Sequence, residues 1–120
     1  MSNRSRDLAE AFSSHRFRDT YDHLAEDVTW VSVGGSITRG REAVVAVCEG
    51  TLVELAGTTT EFTRFRSVAD TATAAVDVVG RYTAADGGTS TVASCDIYEF
   101  DGDSIARITS YAVELSADEA

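Results

Sequence analysis

Proline does not occur anywhere in this sequence, and cysteine and histidine occur only twice each. No apolar run approaches the ~20 residues that a bilayer span requires. The opening residues, Met1-Ser2-Asn3-Arg4-Ser5-Arg6-Asp7, run into amphipathic sequence without the apolar core of a signal peptide. These absences point to the cytoplasm. Internal repeats, low-complexity tracts and linkers are missing too, which leaves one domain spanning residues 1–120. Cys48 and Cys95 lie far apart inside apolar patterns and read as buried thiols. With only two histidines beside them, they fit no zinc-ligand spacing, so no metal or other cofactor is expected. Basic residues are also scarce: 10 against 20 acidic ones, for a net charge of −10. A field of that sign repels phosphate backbones and anionic lipid, which excludes nucleic acid and membranes as partners. It also keeps a small domain soluble.

What the sequence does contain is two periodicities in succession. A chain of 120 residues can bury roughly two-thirds of its unfolded surface. Leu8, Ala11 and Phe12 stand at helical spacing within residues 4–14, and Phe17, Tyr21 and Leu24 form a second short stripe. Ser13-Ser14 separates the two. His15 and His23 fall in this region and read as surface or boundary residues. Asp27 marks the end of the second helix. Val28 to Val33 reads as a strand, and Gly34-Gly35 as a turn. Gly40 opens a third helix whose apolar stripe is Val44, Val47, Cys48, Leu52 and Leu55, with Gly57 as its left-handed cap. Residues 59–69, 72–83, 89–100 and 104–115 then alternate with a strand period and are rich in Thr, Val, Ile, Tyr and Phe. Asp86-Gly87-Gly88 and Asp101-Gly102-Asp103 are hairpin turns. Helices first and hairpin-linked strands afterwards define an α+β fold: three N-terminal helices packed into a strongly curved antiparallel sheet around a cone-shaped pocket.

This order resembles the nuclear transport factor 2-like superfamily over residues 5–115. Leu24-Ala25-Glu26-Asp27-Val28-Thr29-Trp30 is similar to its helix-to-strand junction, and Gly40-Arg41-Glu42-Ala43-Val44 to the opening of its third helix. Asp96-Ile97-Tyr98-Glu99-Phe100-Asp101-Gly102, followed by Ile105, is similar to its final hairpin. The nearest flavour is the SnoaL-like group, with polyketide cyclases and relatives of ketosteroid isomerase and limonene epoxide hydrolase. The superfold carries unrelated activities, so the likeness implies a fold and not a reaction.

A curved sheet cannot fill its concave face with its own side chains, and the space left under the helices is the expected site. Strand 89–100 puts Val92, Ser94, Asp96, Tyr98 and Phe100 on one face. Asp96 therefore sits beside aromatics, where desolvation favours its neutral form; a neutral acid donates a hydrogen bond, an ionised one serves as a base. The resemblance sets Asp96 on the hydrogen-bond-donating aspartate of ketosteroid isomerase. It also sets Ser32 at that family's general base and Leu8 at its oxyanion-hole tyrosine, so two of the three groups are missing. For epoxide hydrolysis Asp77 matches one carboxylate, but Ala75 and Ser110 stand where an arginine and the second carboxylate belong. Asp77 and Arg81 share a strand face and are candidates for a polar cluster with Asp96. Against this, the opposite face of Ala74, Val76 and Val78 is the more apolar and the more naturally buried. Phe12, Trp30, Tyr98, Ile108 and Ser110 complete the expected pocket wall. A two-residue turn in the last hairpin puts Ile105, Arg107 and Thr109 on the face of Asp96; the family register puts Ile108, Ser110 and Ala112 there, and we follow the family.

Two functions compete. One is acid/base chemistry on a small apolar carbonyl compound, in the manner of a cyclase or isomerase. The other is a non-catalytic ligand-binding or dimerising module, favoured by the absent bases at positions 8, 32 and 110. A homodimer is expected through the convex face, where Cys95 and Ile97 lie beside Arg107, Thr109 and Tyr111.

Overall fold

Apolar alternation over residues 59–115 becomes four long strands, and the N-terminal stripes become the layer that covers them. The computed structural model describes residues 4–116. Met1, Ser2 and Asn3, the start of the N-terminal segment read above, and residues 117–120 lie outside it. The elements are α1 (Arg4–Ser13), a 3₁₀ helix (Phe17–His23), β1 (Leu24–Ser32), β2 (Ile37–Arg39), α2 (Arg41–Glu54), β3 (Thr59–Ala69), β4 (Thr73–Thr83), β5 (Thr89–Asp101) and β6 (Ser104–Leu115). The sheet order is β2-β1-β6-β5-β4-β3. All neighbours are antiparallel except β1 and β6, which run parallel because the chain crosses the whole sheet between them.

The second helix differs from expectation in type and length. Phe17 and Thr20 are buried three residues apart, the period of a 3₁₀ turn. The Thr20 hydroxyl donates to the Phe17 carbonyl at 2.6 Å, which holds the tight winding. The helix therefore stops at His23, and Asp27 lies inside β1. Strand β2 is absent from the sequence reading for a simple reason. It is three residues long, and Ile37, at 52 % exposure, buries too little to leave an alternation.

Helix α2 starts where expected. Gly40 has φ +92°, a value that favours glycine, and its N–H donates to the Val28 carbonyl at 2.7 Å, tying the helix to β1. Val44 and Cys48, one turn apart, are fully buried, Leu52 and Leu55 are half-buried, and Val47 is exposed. The contact stripe is narrower than the apolar pattern suggests. Gly57 is not left-handed: the chain leaves the helix through right-handed Leu55, with Thr58 N–H on the Leu55 carbonyl.

The core fills the concave face. Leu8 and Phe12 of α1 meet Val76 and Val78 of β4, Tyr98 of β5, and Ile105 and Ile108 of β6. Each such side chain contributes about 1.5–3 kcal/mol by leaving water. Phe12 stands edge-on to Phe17, Trp30 and Tyr98, with centroids 4.9, 5.0 and 5.9 Å away.

The last hairpin contains both registers weighed above. Asp101 pairs with Ser104 around a two-residue turn with Gly102 at φ +60°. Phe100 pairs with Ile105, but Glu99 pairs with Arg107, so Ala106 is an extra residue in β6. This bulge returns Ile108, Ser110 and Ala112 to the face of Tyr98, Asp96 and Ser94.

Candidate active site

Helix α1 ends at Ser13 directly over β5. The Ser13 hydroxyl donates to Asp96 Oδ2 at 2.8 Å and lies 2.6 Å from the Tyr98 hydroxyl. Serine has one proton to give, and the carboxylate takes it, so Tyr98 is the donor to Ser13. The result is a directed chain, Tyr98 to Ser13 to Asp96. Burial first, and the Asp96 charge second, push the Tyr98 phenol well above its ordinary range and keep it protonated as a donor. In register across the sheet, Asp96 neighbours Ser110, which neighbours Ser32. Trp30 Nε1 donates to Ser110 Oγ at 2.9 Å, which orients the indole over this polar row.

His15 caps the same helix. The Arg16 N–H bonds the Ala11 carbonyl at 2.8 Å and the His15 N–H bonds the Phe12 carbonyl at 3.2 Å, the pair of a Schellman ending. His15 occupies its left-handed position at φ +68°, where glycine is the usual residue. Its ring lies among Phe17, Phe62 and Tyr82, at centroid distances of 5.5, 6.0 and 6.0 Å. Burial holds the imidazole below its ordinary range, with the Asp96 charge pulling the other way. Tyr82 is raised by burial and by the same carboxylate. Its ring folds back over Gly80, where an added Cβ would meet it at 3.1–3.2 Å.

Above this cluster opens a cavity of about 630 Å³ between the C-terminal ends of α1 and α2 and the β4–β5 hairpin. His15, Tyr82, Val92, Ser90, Thr51 and Leu55 are among its lining residues. Asp96, Tyr98, Phe12, Trp30, Ser32, Ile108 and Ser110, named from sequence, all sit on the concave side. None of them lines this cavity: Tyr98, Phe12 and Ile108 are filled core, and Trp30, Ser32, Ser110 and Asp96 lie outside its wall.

Asp77 and Arg81 belong to the other side of the sheet. The Asp77 carboxylate accepts from Arg66 Nε at 2.7 Å and Arg64 Nη2 at 3.0 Å, and those bonds hold it below the usual carboxylate range. Arg81 lies 3.8 Å from Glu61 in solvent. Their strand buries Ala74, Val76 and Val78 instead, because burying the apolar face avoids desolvating two charges. Cys48 is buried as expected, and its thiol is pushed up to about 12; Cys95 is only half-buried, on the convex face. Among the described residues no three His, Cys, Asp or Glu side chains are grouped to hold a metal ion.

Sequence reasoning missed His15 and Tyr82. The signal for His15 was its position directly after Ser13-Ser14, which places it in the left-handed slot of a helix ending. Tyr82 shares the inward face of Val76 and Val78, a face left unassigned while Asp77 and Arg81 competed for it.

Helices closing the concave side of a curled, mixed sheet over a buried polar cluster define an α+β protein of the nuclear transport factor 2-like fold. More narrowly, the chain belongs to the SnoaL-like domain family, which matches residues 5–108. A nuclear transport factor 2-like protein of unknown function from Cytophaga hutchinsonii shares 27% identity and superposes with TM-score 0.81, over 94% of this chain and 99% of that one. A candidate polyketide cyclase of Xanthomonas campestris pv. campestris is 20% identical, with TM-score 0.70 over 92% of each chain. An M. tuberculosis LEH-like epoxide hydrolase is 18% identical, with TM-score 0.66 over 92% of this chain and 83% of that one. No curated protein matches the sequence. Among the described residues no helix is long and apolar enough to cross a membrane.

Proposed function

We propose that this protein binds a small, largely apolar carbonyl compound in the cavity and performs acid/base chemistry of the cyclase or isomerase kind with protein side chains. The observation that carries the reading is the Tyr98–Ser13–Asp96 chain set directly behind the open cavity. Asp96 is held there by a hydrogen bond from the uncharged Ser13 hydroxyl, whereas Asp77 is clamped by two arginines on the far side. Proton removal next to a carbonyl needs a positioned acid/base group within reach of an enclosed substrate, and a fixed donor network that keeps that group oriented. The cyclase and hydrolase named above share the fold and lend the pocket reading its class.

The test requires no knowledge of the natural substrate. In D₂O, the protein is expected to accelerate deuterium exchange at the α-carbons of 2-tetralone over the buffer rate, followed by proton NMR, and Asp96→Asn is expected to remove the acceleration. Exchange no faster than buffer across a series of bicyclic ketones, or undiminished in Asp96→Asn, would refute the proposal and favour a non-catalytic binding module.

We further propose that the protein acts in the cytoplasm as a homodimer through the convex face. Tyr111 and Val113 are exposed there beside Cys95 and Ala93, lining a shallow groove of about 280 Å³. Light scattering at micromolar concentration should give twice the chain mass, and Tyr111→Arg should halve it. A monomer mass for the unmodified chain would count against this arrangement.

A further inference from the structure

We propose that His15 is the group that meets the ligand and exchanges its proton, with Asp96 acting behind it as a positioning residue. This rests on the pocket reading above and divides its labour differently. His15 lines the cavity and Asp96 does not. The backbone supplies a second, independent reason. A Schellman ending takes glycine most readily at its left-handed position, and this one carries a histidine at φ +68°. Strain of that kind persists where the side chain is wanted. The ring is held in place by Phe17, Phe62 and Tyr82.

The groups facing the imidazole are Asp96 from β5, Tyr82 from β4 and, across the cavity, Asp86 from the β4–β5 turn; α2 contributes Thr51 and Leu55. Burial keeps the free imidazole neutral, hence able to accept a proton near neutral pH. The Asp96 charge then stabilises the imidazolium. In the step itself, a proton leaves the carbon beside the ligand carbonyl for the imidazole nitrogen. The C–H electron pair becomes the enolate double bond, and the carbonyl π pair settles on oxygen. Return of the proton to that oxygen gives the enol, an isomerisation with no other reagent. Asp86 on the cavity wall and Asp96 behind His15 disfavour anionic ligands, so the class is neutral ketones and enols.

The probe is 2-naphthol, whose hydroxyl stands for an enol. With only two histidines in the chain, the imidazole C2–H signals of His15 and His23 can be assigned by single substitution. Saturating 2-naphthol should move the His15 signal and leave His23 in place. Its affinity should fall as pH drops through the His15 titration, because the imidazolium no longer accepts the hydroxyl proton. His15→Gly suits the left-handed backbone and should unfold cooperatively at or above the wild-type midpoint, yet bind 2-naphthol about tenfold more weakly, the upper worth of one hydrogen bond. His15→Asn should bind without that pH dependence. Asp96→Asn should shift the His15 titration to lower pH, since it removes the charge that raises it. Binding that leaves the His15 signal unmoved and is equal in His15→Gly overturns the inference while the pocket reading stands. Failure of the wild-type protein to bind 2-naphthol or to exchange 2-tetralone overturns both.

Discussion

Asp96 and Asp77 lie one residue out of register on adjoining strands, yet on opposite faces of the sheet. On the convex side Asp77 meets two arginines in solvent, a pairing that side-chain entropy and screening make nearly neutral in energy. On the concave side Asp96 meets a serine hydroxyl that is itself held by a buried tyrosine. The same side chain is thus a surface ornament in one strand and the end of an oriented network in the next. Which role it takes is decided by the period of two along a strand.

The largest expected effect separates the two carboxylates by function. With the charge that supports proton transfer at His15 gone, Asp96→Asn should lose most of the roughly 10²–10⁴-fold that a positioned acid/base group contributes. Asp77→Asn should leave exchange within about twofold. Equal losses in NMR-monitored exchange would erase the distinction. Next comes packing. Ile108, fully buried on the concave face, should cost about 2–5 kcal/mol on replacement by alanine, against under about 0.5 kcal/mol for Val68, which is 69 % exposed. Urea unfolding of both variants measures the contrast. Tyr98→Phe removes one donor from the chain without opening a cavity and should cost about 1–2 kcal/mol in the same experiment.

The smallest effect is electrostatic. Asp77 has a folded-state pKa below its unfolded value, so its contribution is present above about pH 4 and is lost as pH falls through the folded value. Asp77→Asn should therefore flatten a small part of the acid limb of stability, worth at most about 1 kcal/mol and fading with added salt. An undiminished acid limb at low salt would show that the arginine pairs contribute nothing measurable.

Much of this contrast was legible in the sequence. The four long strands announced themselves by alternation, and the face of Asp96 and Tyr98 followed from it. The more apolar face of residues 74–78 already argued that Asp77 points outward. The bulge at Ala106 was not legible, because no local residue preference marks it. It emerges only when Ile105 and Ile108 must both be buried, which a strict period of two forbids. The place of His15 was hidden for a similar reason. Helical periodicity describes where side chains point within α1, and His15 acts from the first residue whose backbone departs from it.

The edge of the sheet has a consequence of another kind. Strand β3 is eleven residues long with one flank unpaired by any other strand, the geometry that invites edge-to-edge aggregation. Its register slips between Phe62 and Arg64, and Glu61, Arg64 and Arg66 stand exposed along it. The opposite edge, β2, is only three residues long. Neither flank offers a straight, uncharged template, which is how edge strands guard against edge-to-edge growth of the sheet.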